Sequence, residues 1–254
     1  MTSMPSTRRA ATTKLPANAK NTSSAELATT LAWLEQNGSK KAREGMARYA
    51  IPTDKAFGIS VVTLRAHGKR LGRDHDLAHA LWKTGYYEAR LLAMFVADPS
   101  RLTANEMDRW CAEFDSWSLC DTACLHLFDR TPHAWPKVKE WARSSDEFVR
   151  RAAFALVASL AVHDKRAPDA PFREALVLVE RAAKDPRNFV KKAVNWALRS
   201  IGKRNATLHA AAIDVAERLT AEADPTARWI GKDALRELRG DAVRRRLAKK
   251  VKAG

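Results

Sequence analysis

The segments FVRRAAFAL, beginning at Phe148, and FVKKAVNWAL, beginning at Phe189, are one amphipathic helix written twice at a separation of 41 residues, with Arg151 and Lys192 as counterparts. DPTARWIGKDAL, beginning at Asp224, follows the Asp185-Pro186 pair at a similar interval. Paired helices recurring every 40–47 residues or so are the sequence mark of HEAT and armadillo solenoids, in which one unit cannot bury its apolar face alone and stacks on its neighbours. Elsewhere nearly every segment carries a helical apolar period, with few Gly or Pro interruptions and no run of alternating strand residues. The expected fold is therefore all-α, a HEAT-like helical-repeat solenoid with a basic concave face lined by its inner helices. Thirteen helices are expected, the first over 25–37 and the last over 225–238. Asp98, Asp185 and Asp224 each precede a proline and are expected to open helices.

The two ends differ from this body. Residues 1–24 are Thr, Ser, Ala and Pro with Arg8, Arg9, Lys14 and Lys20, and no acid precedes Glu26. Such a segment buries too little apolar surface to offset its ordering entropy, so a disordered basic arm is expected; an organelle transit peptide has a similar composition. The repeat domain is expected over 25–240, and RRRLAKKVKAG closes a second basic tail over 241–254.

Lysine and arginine outnumber the acids 45 to 29, a net charge of +16 over 254 residues. That balance favours a polyanionic partner, nucleic acid first and an anionic membrane surface second. No apolar run approaches the roughly 20 residues that span a bilayer, so no membrane segment is expected and the protein is expected to be soluble and cytoplasmic, near the nucleoid. Three cysteines, Cys111, Cys120 and Cys124, suit reduced thiols better than a disulfide framework.

Three places hold candidate functional residues. In the helix beginning near Asn188, Val190, Ala193, Val194, Ala197, Leu198 and Ile201 take the core face, and Lys192, Trp196, Arg199 and Lys203 fall on another stripe. No acid occurs from Pro186 to Ile213, so local helix partners do not neutralise those cations and phosphate is the expected partner. Trp196 reads either as a sugar or base platform or as an indole half buried beneath lysine stems. In FDSWSLCDTACLHLF, Trp117 and Asp121 lie one helical turn apart, away from the apolar stripe of Leu119, Cys120, Ala123, Cys124 and Leu127. Asp121 reads alone as a surface carboxylate paired with an arginine. Cys120, Cys124 and His126 have no fourth ligand at a zinc spacing, so core thiols and no metal are expected. In EFVRRAAFALVASL, the core positions leave Arg150 and Arg151 facing away from the core, as solvated charges or as a phosphate clamp.

At these residues the sequence resembles the AlkD-type DNA alkylation-repair glycosylases, a HEAT-like-repeat family. The resemblance runs from about Arg43 to about Leu238 and rests on MARY followed by FGI (Met46 to Ile59), LW and EAR (Leu81 to Arg90), WSLCD (Trp117 to Asp121), RRAA (Arg150 to Ala153) and KKAVNWALR (Lys191 to Arg199). It implies that Asp121 is the catalytic carboxylate, that Trp117 and Trp196 are active-site indoles, that Arg151 belongs to the catalytic set, and that Tyr49 is a further DNA-facing aromatic. Arg150, Lys192, Arg199 and Lys203 are expected to hold DNA phosphates. Where the family pattern can carry a tryptophan and an acid around Trp117, this chain has Ser116 and Ser118.

The activity implied is hydrolysis of the N-glycosidic bond of N3- or N7-alkylated purines in double-stranded DNA. Alkylation at those nitrogens makes the base cationic, so it leaves neutral without a general acid. Positive charge grows on the deoxyribose, and one fixed anion stabilises that transition state. No cofactor is needed, and a solenoid wrapping DNA as a monomer needs no second subunit. Two other readings share the composition: a non-catalytic HEAT-like DNA-binding module with Asp121 tied in a structural ion pair, and a scaffold whose basic face meets an acidic protein.

Overall fold

The computed structural model describes the backbone of residues 17–251 and the side chains of 24–249. Among these residues there are fourteen α-helices and no strand: α1 (Ala17–Gln36), α2 (Lys40–Met46), α3 (Val61–Leu71), α4 (His75–Lys83), α5 (Tyr87–Val96), α6 (Ala104–Ala112), α7 (Trp117–His126), α8 (Ala134–Trp141), α9 (Glu147–His163), α10 (Asp169–Ala182), α11 (Asn188–Gly202), α12 (Ala206–Ala221), α13 (Pro225–Leu238) and α14 (Asp241–Val251). The all-α solenoid expectation holds. Of the expected arm, residues 1–16 lie outside the described residues, and 17–24 belong to α1. The expected tail is α14 up to Val251, with 252–254 outside the described residues. No described helix is long and apolar enough to cross a membrane.

Polar residues with short side chains cap half of the described helices, because the first turn leaves backbone N–H groups without intrahelical partners. Ser60 accepts from Thr63, Asp74 from Leu77, Asp146 from Phe148 and Val149, Asn205 from Leu208, and Thr103 with Glu106 forms a reciprocal capping box. The expectation for the Asp-Pro pairs holds at Asp224, where Pro225 is the first helical residue. It fails at the other two. Asp98 closes a turn on Ser100, and Asp185 takes the backbone N–H and the guanidinium of Arg187, which itself precedes α11.

Helices α5, α7, α9, α11 and α13 pack side by side in sequence, each against its neighbour, while α4, α8, α10 and α12 each pack against the helix that follows. The inner helices begin at Tyr87, Trp117, Glu147, Asn188 and Pro225, so the spacing is 30, 30, 41 and 37 residues. Short helices make the first units compact: α6, α7 and α8 have 9, 10 and 8 residues, against 14 to 17 for α9 to α13. The 41-residue repeat is therefore the spacing of the second half only. There the equivalent rings Phe148 and Phe189 meet at 5.4 Å between centroids.

One buried carboxylate organises the entry to the array. Glu88 on α5 is fully buried and accepts from the backbone N–H groups of Phe57 (2.8 Å), Gly58 (2.7 Å) and Ile59 (3.2 Å). Gly58 has φ +83°, and a Cβ there would stand 2.2 Å from the Ser39 carbonyl oxygen. The FGI and EAR motifs are thus two halves of one scaffold. It holds the chain between α2 and α3, which carries Tyr49, against α5.

Candidate active site and nucleic-acid interface

Tyr49 ends a 3-10 turn at Ala47–Tyr49 and is 66% exposed. The next residue, Ala50, is left-handed at φ 54°, the one non-glycine residue with positive φ among those described. That strain turns the chain so that the Tyr49 carbonyl oxygen accepts from Trp117 Nε1 at 2.7 Å. An exposed phenol and a pinned indole thus share the wall of a cleft of about 490 Å³, whose other walls come from Asp121, Arg151, Phe189 and Lys192.

Asp121 and Arg151 form a tight pair at its floor. Arg151 donates Nε to Oδ1 at 2.9 Å and Nη2 to Oδ2 at 2.7 Å, and its Nη1 to the Phe189 carbonyl oxygen at 2.7 Å. The pair joins α7 to α9, and the third bond joins α9 to α11. Arg151 is 6% exposed, whereas the Asp121 side chain keeps 16% of its surface open to the cleft. Burial raises the Asp121 carboxyl above the ordinary carboxylate range, and the charge and hydrogen bonds of Arg151 pull against that rise. Burial alone would lower Arg151, but the Asp121 carboxylate outweighs it and holds the guanidinium above its usual value.

Several sequence expectations need correction. The expectation that Arg151 faces away from the core, as a solvated charge or a phosphate clamp, fails: it is buried because α7 and α11 flank α9, and all three of its side-chain nitrogens bond protein oxygens. Arg150 pairs with Asp185 at 3.1 Å. Arg199 and Lys203 were expected to await phosphate, yet Glu237 of α13 takes both, Lys203 at 2.6 Å. The absence of acids along α11 misled because the partner sits on the next helix. Lys192 is exposed and lines the cleft. Trp196, one turn beyond it, is half-buried against the core and does not line the cleft. Ser116 and Ser118, on either side of Trp117, are buried, and Ser118 bonds the Tyr87 hydroxyl at 2.6 Å. The three cysteines are free and buried, as core thiols.

The sequence reading passed over two features. Phe189 lines the cleft with its ring near the Arg151 guanidinium, 5.9 Å to the centroid. A second cleft, about 590 Å³, is walled by Arg65, Lys69, Arg73, Phe95, His126 and Arg130, with no carboxylate in its lining. Burial lowers His126, and Arg65 and Arg130 add to that. A spacing of four between cations, Arg65 and Lys69 on α3 and Arg73 just beyond its end, is the signal that marks this cleft in the sequence.

A family profile described as DNA alkylation repair enzyme matches residues 30–238. A solved structure described as belonging to a new family of proteins related to the HEAT-like repeat DNA glycosylases, with affinity for branched DNA structures, superposes with a TM-score of 0.68. It is 21% identical and covers 75% of this chain and 82% of its own, a likeness of fold. No curated protein matches in sequence. With the profile running from within α1 to the end of α13, the chain belongs to the DNA alkylation repair enzyme family.

Proposed function

We propose that the protein is a DNA N-glycosylase that releases cationic N3- or N7-alkylated purines from duplex DNA, with Asp121 as its catalytic carboxylate. The observation that carries this reading is a carboxylate fixed at both oxygens, yet open to a cleft walled by Trp117 and Tyr49. Arg151 is then a positioning residue: its fork sets the direction of the carboxylate before substrate arrives.

The pairing weakens the field but does not cancel it. At an effective dielectric of about 20, a carboxylate about 4 Å from the sugar stabilises a unit positive charge by about 4 kcal/mol, and a guanidinium about 4 Å further back removes about 2. The remaining ~2 kcal/mol corresponds to a rate factor of about 30. Since the alkylated base already carries its positive charge, no proton donor is required. Trp117 and Tyr49 offer faces to the sugar and its neighbours. Lys192, Arg48 and the cationic cleft between α3 and α7 hold phosphates, which positions the duplex without reading its sequence. Trp196, one turn along α11 from Lys192, packs on the core beside this track.

The test is release of N7-methylguanine or N3-methyladenine from duplex DNA by wild type and Asp121→Asn. Wild-type release that falls about 1,000-fold in the variant, which loses the carboxylate's ~4 kcal/mol and keeps the opposing guanidinium, with DNA affinity retained, supports the assignment. Equal release by both removes Asp121 from the mechanism.

A second reading is favoured by the same ion pair. If Asp121 serves only to bind Arg151, the cationic clefts make a DNA-binding module without chemistry, and the fold relative's affinity for branched DNA then suggests the ligand. No release by wild type, together with tighter binding to a four-way junction than to duplex, selects this reading.

A further inference from the structure

We propose that His75, His79 and Glu106 form a binding site for a divalent transition-metal ion of the zinc class, joining α4 to α6. The two histidines lie four apart on α4, so their rings emerge from one face, and Glu106 comes from the first turn of α6. Their three ligand atoms lie within 4.8 Å of one another. His75 Nε2 is 3.1 Å from His79 Nε2, which is 3.2 Å from Glu106 Oε1. With metal–ligand bonds of about 2.0–2.2 Å, an octahedral edge is about 3.0 Å and a tetrahedral edge about 3.4 Å. Both observed separations fall between these.

Hydrogen bonding alone satisfies the three atoms poorly. A proton on His79 Nε2 can be given fully to Glu106 or to His75, not to both. Without that proton, His79 can accept from His75 but turns its lone pair on the carboxylate. A cation among them receives all three lone pairs together. Two imidazoles and a carboxylate, with solvent completing the shell, suit Zn²⁺ and its neighbours Co²⁺ and Ni²⁺ better than Mg²⁺ or Ca²⁺.

The carboxylate is already aimed. Its other oxygen, Oε2, accepts from the Thr103 N–H and hydroxyl, each at 2.8 Å, which leaves Oε1 turned toward the histidines. His75 lacks such support, because its buried Nδ1 has no partner in the protein. An incomplete outer shell weakens a site about 10–100-fold, so micromolar affinity is expected rather than that of a zinc finger. None of the three residues lines either cleft. The role that follows is a clip between α4 and α6, beside the Trp82–Trp110 stack (4.2 Å, 2°) that already joins these helices.

The experiment uses the full chain, freed of any histidine tag and of metal, titrated with Zn²⁺ by calorimetry and with Co²⁺ by visible absorption. One equivalent is expected to bind and to raise Tm by on the order of 5 °C at saturation. His79→Gln and Glu106→Gln are each expected to weaken binding at least tenfold, and His209→Gln to leave it unchanged. Gln keeps the capping box, so Glu106→Gln is also expected to match wild type in Tm without metal, separating a lost ligand from a damaged helix. Affinity unaltered in Glu106→Gln, or no saturable binding by wild type, overturns the assignment. Neither result bears on base release.

Discussion

Arg151 grips both oxygens of Asp121 from the neighbouring inner helix, so the direction of the one carboxylate in the cleft is set by the seam between two repeats. Removing one member leaves the other charged and buried. Arg151→Leu is expected to cost about 3–5 kcal/mol in urea unfolding, and Asp121→Leu combined with Arg151→Leu clearly less than the sum of the single changes. Additive losses would show that the two side chains do not interact.

The pH dependence has a defined sign. Burial raises Asp121 and Arg151 opposes the rise, so the anion is lost as pH falls through a value above the ordinary carboxylate range. Base release is expected to show one acid limb there and none from a general acid. Arg151→Lys, which weakens the fork, is expected to move that limb to higher pH. For stability the sign reverses: a carboxyl that holds its proton more tightly when folded makes its contribution less favourable as pH rises through that window.

Glu237 works the other way. Against burial, the Lys203 hydrogen bond and the charges of Arg199 and Lys203 hold its carboxyl below the usual value. Its contribution to stability is present above the ordinary Glu range and lost as pH falls through the depressed value. Glu237→Gln is expected to flatten the acid limb of a Tm-against-pH curve.

Salt dependence separates the cations. Lys192→Ala is expected to lower the slope of log affinity against log salt on duplex DNA by about 1. Arg150→Ala and Arg199→Ala, whose charges are already matched by Asp185 and Glu237, are expected to leave the slope nearly unchanged while lowering stability. A slope that falls equally for all three would return these arginines to the phosphate track.

The aromatic residues are expected to rank. Trp117→Ala removes both a cleft wall and the bond to the Tyr49 carbonyl oxygen, and is expected to slow base release more than Trp196→Ala. The latter is expected to act chiefly through stability, as a half-buried ring packed on the core.

Helix positions along the chain were legible because apolar spacing and caps are local properties. Trp117 and Asp121 were legible as neighbours for the same reason, since four residues is one turn. What escaped was everything decided between helices: the burial of Arg151 by α7 and α11, the capture of Arg199 and Lys203 by Glu237, and the three N–H bonds to Glu88. The thirty-residue spacing of α5, α7 and α9 also went unseen, because short helices there share no sequence echo with the longer second half.

That Asp121 and Arg151 sit on successive units has a mechanical corollary. A solenoid flexes at the joints between its units, and this joint carries the carboxylate proposed to be catalytic, so a duplex that bent the array on docking would also tug on the fork. Curvature and charge would then be geared together there, and the proposed chemistry would respond to the shape of the duplex.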